Sequence, residues 1–215
     1  MRTANKDAIQ KTKVAIIGAG FGGLAMAIRL LQSQINDFVI LEKTNDVGGT
    51  WRENQYPGAA CDVQSHMYSL SFAPKTDWSK RYAEADEIFT YIQDITEQYK
   101  LKDYCKFNHE VTHAQFDENR NVWTVEFKDQ PTLEAQFVIF ASGPLHVPQI
   151  PHIKGIEKFK GKVFHSSKWE HDYDLSGKSV ASIGTGGSAI QYIPDIAPAA
   201  NPPYVFQRRA PWVIP

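Results

Sequence analysis

The feature that most constrains the fold is a glycine-rich turn near the start of the chain. Residues 14–17 are apolar and predict a buried parallel strand, and residues 24–31 have the apolar periodicity of a helix. Between them Gly18, Gly20 and Gly23 have the spacing G-x-G-x-x-G. This order predicts a strand, a tight turn and a helix, with a pyrophosphate held on the N–H groups at the positive end of the helix dipole.

An acidic residue lies where such a unit would bind the ribose of an adenosine. A second apolar run, residues 38–41, is followed by Glu42, 19 residues after Gly23. A separation of about 20 residues places a carboxylate on the ribose hydroxyls. The alternative is a tight turn and a surface carboxylate without a ligand. With strand, glycines and acid in register, the pattern favours a dinucleotide.

Composition excludes several classes of protein. Of 215 residues, 42% are hydrophobic and 22% are charged, which excludes disordered and fibrous chains. The net charge of −1 predicts no nucleic-acid partner, and nothing in it indicates a membrane surface. Cys61 and Cys105 lie outside C-x-x-C and metal-ligand spacings, so we expect no dithiol chemistry and no metal. Neither a signal peptide nor an apolar run of about 18 residues is present, which predicts a cytoplasmic protein.

The middle of the chain predicts a functional loop, a helix and a β excursion. Residues 46–62 contain two glycine pairings, a Pro-Gly turn and a Trp, and long loops of this kind are usually functional. Residues 84–99 predict a helix with one apolar face. Residues 110–117 and 121–128 predict an antiparallel pair, and residues 137–141 return to the parallel sheet.

After a Pro-rich linker the opening pattern repeats. Residues 179–183 predict a strand, and the next six residues read Gly-Thr-Gly-Gly-Ser-Ala, a G-x-G-x-x-A turn. Following a further strand at 204–207, Arg208 lies 19 residues after Ala189 and is followed by Arg209. A second nucleotide turn is therefore predicted.

The residue after each second strand indicates which nucleotide binds. A carboxylate such as Glu42 accepts ribose hydroxyls and repels a 2′-phosphate, whereas a guanidinium such as Arg208 binds that phosphate through charge-assisted, bidentate bonds. The first unit is thus predicted to bind FAD or NAD and the second NADP. The alternative for the second is a pair of solvated surface arginines.

These patterns predict an α/β protein with two Rossmann-like dinucleotide-binding units and a β excursion in the first. The expected organisation is a flexible tail over residues 1–12, an FAD-binding domain over 13–147, and a linker with an NADPH-binding domain over 148–215. Two such sites in tandem indicate hydride transfer from NADPH to a flavin.

Two further motifs resemble a known family, the Baeyer-Villiger monooxygenases of the class B flavoprotein monooxygenases. Residues 159–169 read F-x-G-x-x-x-H-x-x-x-W, similar to the family fingerprint, and residues 48–62 fit its longer glycine-tryptophan signature. Glu170 departs from the Pro or Asp usual after the fingerprint Trp. Because the chain ends at Pro215, the resemblance implies the N-terminal part of such an enzyme, with an incomplete second unit that holds the first part of the NADPH-binding domain only.

The resemblance implies the chemistry and the role of one carboxylate. In the family NADPH reduces FAD, dioxygen adds to the reduced flavin, and the resulting flavin peroxide oxygenates a ketone to an ester or lactone. Asp62 would orient an active-site arginine that is absent from this chain. The alternative for Asp62 is a simple turn residue.

The expected site residues form three groups. The first group combines residues of the first nucleotide-binding unit with residues that the resemblance implies. The expected FAD contacts are Gly18, Gly20, Gly23, Glu42, Thr50, Trp51, Arg52, Glu53, Asp62, Tyr68 and Val111. The expected NADP contacts are Gly184, Thr185, Gly186, Gly187, Ser188, Ala189, Gln191, Arg208 and Arg209. The fingerprint residues are Phe159, Gly161, His165 and Trp169. By resemblance His165 has a structural role in coupling the domains rather than that of a general base.

Three other functions stay open. The first is a non-catalytic dinucleotide-binding remnant, which NADPH-dependent oxygen consumption would distinguish from an enzyme. The second is an N- or S-oxygenating flavin monooxygenase, which Trp169 disfavours because those enzymes tend to carry another aromatic residue there. The third is a disulfide reductase, which the lack of C-x-x-C disfavours. The exposed edges of an incomplete sheet also predict self-association.

Overall fold

The computed structural model describes residues 9–145 and 147–210, which fall into two compact units. One unit comprises the described part of Met1–Thr50 together with Phe89–Pro144, and the other comprises Trp51–Ile88 with the described part of Leu145–Pro215. The strands are β1 (Gln10–Ile17), β2 (Phe38–Leu41), β3 (Cys105–Lys106), β4 (Val111–Asp117), β5 (Val122–Phe127), β6 (Leu133–Phe140), β7 (Ser179–Ile183) and β8 (Asn201–Phe206). The helices are α1 (Phe21–Gln32), α2 (Thr50–Glu53), α3 (Ala85–Gln98) and α4 (Gly187–Ile196).

The first unit is built on a six-stranded mixed sheet with the order β3-β2-β1-β6-β5-β4. Strand β1 lies in the centre and runs parallel to both β2 and β6. Strands buried on both faces of a sheet are continuous apolar runs, as β2 and residues 14–17 of β1 are. The fully buried side chains Ile16, Leu24, Ile28, Ile40 and Leu41 come from these strands and from α1.

The predicted β excursion is confirmed. Strand β4 pairs antiparallel with β5, and β5 pairs antiparallel with β6. Alternation in β5 buries Val125 against the sheet while Glu126 on the other face is exposed. The excursion therefore extends the parallel sheet on the side of β6.

The predicted helix at residues 84–99 is confirmed as α3. Its buried residues include Ile88, Tyr91, Ile92 and Ile95, which recur at spacings of three and four and share one face. The stripe is packing surface, as the periodicity indicates.

Two boundaries in the first unit differ from the prediction. Strand β1 begins at Gln10, so residues 10–12 of the predicted tail belong to this strand. They are ordered there because they pair with residues 133–135 of β6. The same pairing makes β6 begin at Leu133, four residues before the predicted start. Residues 1–8 of the predicted tail lie outside the described residues.

Strand β3 was not predicted. It has only two residues, Cys105 and Lys106, which pair with Ile40 and Leu41 at the end of β2. A strand of this length has no periodicity that a sequence could display.

The second unit contains the parallel pair β7 and β8, connected through α4, as the repeated pattern predicts. Strand β8 begins at Asn201, three residues before the predicted start. Within the described residues of both units, no helix combines the length and the apolar character needed to cross a membrane. Ile183, Tyr204 and Phe206 are largely exposed on the β7–β8 pair, and self-association through such surfaces stays a prediction.

The compact units differ from the predicted domain limits. The break between Pro144 and Leu145 lies close to the predicted boundary at 147/148, but residues 51–88 group with the later part of the chain rather than with residues 13–147. Hydrogen bonds from Gln191 of α4 to Tyr56 and Ala60 are among the contacts that join these segments. The assignment of one domain to FAD and the other to NADPH stays a prediction.

Candidate functional site

The first glycine turn requires glycine at two of its three motif positions. Gly18 has φ of +106°, and a Cβ there would lie 2.6 Å from the carbonyl oxygen of Ala141. A Cβ on Gly23 would lie 1.9 Å from the carbonyl oxygen of Gly18. The turn therefore packs backbone on backbone, as expected where a helix lies close to the strand before it.

The N-terminus of α1 has the properties of an anion site. Its N-cap is Gly20, which offers no side-chain cap, and its first turn carries no acidic residue. The neighbouring loop closes over the turn, since the Gly48 N–H donates to the Ala19 carbonyl at 3.0 Å and a Cβ on Gly49 would lie 3.0 Å from the Gly20 Cα. The positive end of the helix dipole is thus left for a ligand.

Glu42 is buried beside this turn, with 7% of its surface exposed. One carboxylate oxygen accepts from the Ala19 N–H at 2.9 Å, and the other accepts from the N–H and hydroxyl of Thr44 at 2.9 and 2.8 Å. The predicted ribose acid is therefore also part of the turn's own hydrogen bonding. Each carboxylate oxygen has two lone pairs, so these bonds leave acceptor capacity.

Replacing Glu42 with alanine is expected to lower the free energy of unfolding by about 1–3 kcal/mol, because it removes the acceptor of the buried Ala19 N–H and of the half-buried Thr44 N–H. It should also weaken FAD binding. Urea unfolding and flavin titration measure the two effects. Glu118→Ala, at an exposed turn, is the matched control, and equal behaviour of the two variants would contradict a role for Glu42 in the turn.

Two expected FAD contacts of the second unit touch each other. The indole N–H of Trp51 donates to the Tyr68 hydroxyl at 3.1 Å, and the rings meet edge to face at 5.6 Å. Burial raises the pKa of the Tyr68 phenol, and the hydrogen bond from Trp51 acts in the opposite direction. Because its pKa is raised, Tyr68 is a protonated hydroxyl at neutral pH. Asp62, which also lies in this unit, is exposed.

A polar cleft of about 280 Å³ lies beside α2. Arg52 Nη1 lies 2.9 Å from Glu53 Oε1, and Lys168 Nζ lies 3.3 Å from Glu53 Oε2. The cleft is lined by Arg52, Glu53, Gln55, Ser167, Lys168, Trp169 and His171. The structure thus brings the fingerprint to two expected FAD contacts, and Lys168 is a participant that sequence reasoning missed.

The remaining expected FAD contacts lie in the first unit. Thr50 begins α2, directly after the Gly48-Gly49 loop. Val111 begins β4 and pairs with Phe127. Whether these residues contact FAD stays a prediction.

The second glycine turn is more open than the first. Gly184 has φ of +107°, and its N–H donates to the Phe206 carbonyl at 2.8 Å. Among the described residues, nothing lies within 4 Å of a Cβ built on Gly184, Gly186 or Gly187. Helix α4 begins after Gly186 without a side-chain cap. This helix end is therefore accessible to a phosphate.

Other expected NADP contacts surround this turn. Ser188 is half-buried and Ala189 is buried in the first turn of α4. Thr185 Oγ1 donates to the Arg209 carbonyl at 3.4 Å, which brings the exposed arginine pair to the glycine turn. The arrangement is compatible with a 2′-phosphate on Arg208 and Arg209.

Gln191 is placed differently from the expectation. Its Oε1 accepts from the Tyr56 hydroxyl at 2.8 Å and from the Ala60 N–H at 3.3 Å, and its Nε2 donates to the Ala60 carbonyl at 2.8 Å. The side-chain amide therefore holds a loop of the same unit. Contact with NADP stays a prediction. No local sequence pattern indicates these bonds, because they join residues more than 130 positions apart.

The fingerprint residues make capping and ring-packing contacts within the second unit. His165 Nδ1 accepts from the Ser167 N–H at 3.1 Å and caps a short 3-10 helix, Ser166–Lys168. Trp169 packs against Phe164 and against Tyr192 of α4, with ring centroids 5.2 Å apart in both pairs. Phe159 covers Gly161, where a Cβ would lie 2.5 Å from its ring. These contacts favour structural roles.

Comparison with known proteins places the chain in a family. Residues 15–213 match the family model of pyridine nucleotide-disulphide oxidoreductases. The chain belongs to the pyridine nucleotide-disulphide oxidoreductase family. Its Rossmann-like α/β fold is thereby confirmed.

Several proteins that are similar to this chain are monooxygenases. The Baeyer-Villiger monooxygenase of Streptomyces coelicolor is 46% identical over 206 residues, covering 96% of this chain and 40% of that protein. Oxidized steroid monooxygenase bound to NADP superposes with a TM-score of 0.87 at 39% identity, covering 96% of this chain and 40% of that one. OTEMO in complex with FAD and NADP superposes with a TM-score of 0.85 at 36% identity, and the match covers 92% of this chain and 39% of that one.

The resemblance to Baeyer-Villiger monooxygenases is confirmed. The chain spans about 40% of the length of the curated relatives that it matches.

The disulphide chemistry in the family description finds no support in the thiols of this chain. Cys61 and Cys105 are both free. Burial raises the pKa of the Cys61 thiol, and burial with the nearby carboxylates of Glu42 and Asp46 raises the pKa of Cys105 to about 12. Both thiols are therefore protonated and poorly nucleophilic at neutral pH. No group of three or more metal-binding side chains occurs in residues 9–145 and 147–210.

Proposed function

We propose that the protein is an FAD- and NADPH-dependent monooxygenase of Baeyer-Villiger type, which oxygenates ketones to esters or lactones with dioxygen. The observation that carries the proposal is the pair of strand–turn–helix units with opposite charge after their second strands, Glu42 after β2 and Arg208 after β8. A carboxylate suits ribose hydroxyls, and a guanidinium suits a 2′-phosphate. The FAD and NADP complexes of the similar structures support this assignment.

The first unit fits the FAD pyrophosphate. Gly20 at the N-cap leaves the N-terminus of α1 without a side-chain cap, so its N–H groups and dipole would hold the phosphates. Glu42, fixed by Ala19 and Thr44, would accept a ribose hydroxyl with the one remaining lone pair of Oε2.

The second turn fits the NADPH pyrophosphate in the same way. Its three glycine positions face open space among the described residues, so the phosphates would approach the N-terminus of α4 closely. The adjacent Thr185–Arg209 hydrogen bond would hold the arginine pair where the 2′-phosphate lies.

Bound FAD would accept a hydride from NADPH and activate dioxygen. The chain's own contribution is positional. The Trp51–Tyr68 pair would fix one wall of the flavin site, because a hydrogen bond and an edge-to-face contact lock both rings. Asp62, on a loop held by Gln191, would orient a cationic group at the site.

The decisive experiment adds NADPH without oxygen to the FAD-loaded protein and follows the flavin absorption band. We expect bleaching, and we expect NADH to bleach the band at least about tenfold more slowly because it lacks the 2′-phosphate. Admission of oxygen with a ketone should then consume NADPH and form the ester.

The outcomes separate the alternatives. A protein that binds neither nucleotide contradicts the proposal altogether. A protein that binds FAD and is not reduced by NADPH is a dinucleotide-binding protein without the redox step. Oxygenation of amines or sulfides with no ester from any ketone would assign it to the N- or S-oxygenating enzymes.

A further inference from the structure

The side chain of Gln191 joins helix α4 to the loop at residues 56–60. The carboxamide uses both its oxygen and its nitrogen on this loop, with bonds to Tyr56 Oη at 2.8 Å, to the Ala60 N–H at 3.3 Å and to the Ala60 carbonyl at 2.8 Å. Two of these bonds involve the main chain, so they fix backbone position as well as a side chain.

The loop backbone lies directly on the helix. Gly58 has φ of +71°, and a Cβ there would lie 2.7 Å from the Gln191 carbonyl oxygen and 2.8 Å from Asp195 Oδ2. Any larger residue would push the loop away from α4. The absence of a side chain at Gly58 is what allows the Gln191 amide to reach Ala60.

The next residue of the helix extends the junction. The Tyr192 ring meets the Tyr56 ring at 6.3 Å and the Trp169 ring at 5.2 Å, and its hydroxyl lies 2.6 Å from Ser182 Oγ in β7. The strand before the second glycine turn, the helix after it and the loop at residues 56–60 are therefore packed together.

Gln191 lies one helical turn from the start of α4. Gly187 begins the helix, and residues four apart lie on the same face. Two residues after Ala60 comes Asp62, the carboxylate that we propose to act at the flavin. One short path therefore leads from the proposed NADP phosphate site through Gln191 to the proposed flavin loop.

We infer that Gln191 is a positioning residue that couples occupancy of the second nucleotide turn to the conformation of the loop carrying Asp62. The inference rests on the proposed function for the identity of the two ligands. A nucleotide that orders the first turn of α4 favours the arrangement in which Gln191 holds Ala60. By thermodynamic linkage NADP⁺ then tightens FAD binding, and FAD tightens NADP⁺ binding by the same factor.

The test compares Gln191→Met with the wild-type protein. Methionine keeps the length and helix propensity of the side chain and removes all three hydrogen bonds, so the variant should still fold. Gln93→Met, at an exposed position of α3, is the matched control. Tyr56→Phe removes one of the three bonds from the loop side and should give a smaller effect of the same kind.

Two measurements are made on each protein. The first is hydrogen exchange of the Ala60 amide without nucleotide, which should be about fivefold faster in Gln191→Met because one hydrogen bond contributes roughly 1 kcal/mol. The second is the ratio of the FAD dissociation constants without and with saturating NADP⁺. We expect a ratio of at least about 5 for the wild type and for Gln93→Met, and a ratio near 1 for Gln191→Met.

A Gln191→Met protein that keeps the wild-type ratio while Ala60 exchanges faster would show a purely structural contact and overturn the inference. A wild-type ratio of 1, or unchanged exchange at Ala60, overturns it as well. Failure to bind either nucleotide overturns the proposed function, and with it the coupling. Normal reduction of FAD by NADPH with no coupling overturns the inference alone.

Discussion

Replacing Gly23 with alanine is expected to lower the free energy of unfolding by about 2–4 kcal/mol and to remove measurable FAD binding. The new Cβ would lie 1.9 Å from the carbonyl oxygen of Gly18, which is a backbone atom and moves only if the strand and helix separate. Overpacking of this kind costs roughly 1–3 kcal/mol where neighbours can yield, and more where they are rigid. Urea unfolding followed by circular dichroism measures the first effect, and flavin titration the second.

The neighbouring glycine provides a matched control. A Cβ on Gly22 would lie 3.7 Å from the Ala141 Cβ, which is an ordinary contact, and Gly22 is an exposed residue of α1. Alanine there should leave stability unchanged or raise it by up to about 1 kcal/mol through helix propensity. Identical unfolding midpoints for Gly22→Ala and Gly23→Ala would show that close packing of helix and strand does not depend on Gly23.

Local sequence patterns predicted the elements in which burial is uniform or repeats regularly along the chain. Strand β2 is apolar throughout because it is buried on both faces, and α3 repeats its apolar residues because one face packs. The turn glycines were predictable for a related reason. At Gly18 and Gly23 the backbone itself excludes a side chain, and that exclusion leaves a fixed spacing in the sequence.

Elements fixed by distant partners were not predictable. Residues 10–12 became part of β1 because β6 lies alongside, 123 positions later. Residues 51–88 group with the later part of the chain because, among other contacts, Gln191 bonds to Tyr56 and Ala60 across 135 and 131 positions. No local periodicity encodes such bonds, because each partner has a composition that many loops share.

The candidate site also contains one residue that local spacing predicted and others whose role depends on distant partners. Glu42 was predicted from spacing alone, since a turn of fixed geometry places the end of the next strand beside it. Its bonds to Ala19 and Thr44 follow from that geometry. Lys168 and Tyr192 were missed because their importance depends on which side chains face them, Glu53 for one and Trp169 for the other.

Replacing Arg208 with alanine is expected to weaken NADP⁺ binding about 10- to 100-fold and to leave NAD⁺ binding unchanged. A hydrogen bond to a charged group contributes roughly 1.5–3 kcal/mol, and only NADP⁺ carries the 2′-phosphate that would accept it. The Thr185 hydroxyl, bonded to the Arg209 carbonyl at 3.4 Å, places both arginines near the glycine turn. Because the double variant Arg208→Ala/Arg209→Ala lacks both guanidinium groups, it should bind the two nucleotides equally. Calorimetric titration with each nucleotide measures the preference.

The contrast between the two nucleotides makes this prediction specific to the phosphate. Arg29→Ala, which removes an exposed arginine from α1, changes the net charge equally and should leave both affinities at wild-type values. A general loss of positive charge would weaken both nucleotides in the Arg208 variant, and a pair of solvated surface arginines would change neither. Only selective loss of NADP⁺ assigns Arg208 to the 2′-phosphate, and with it the second unit to NADPH rather than NADH.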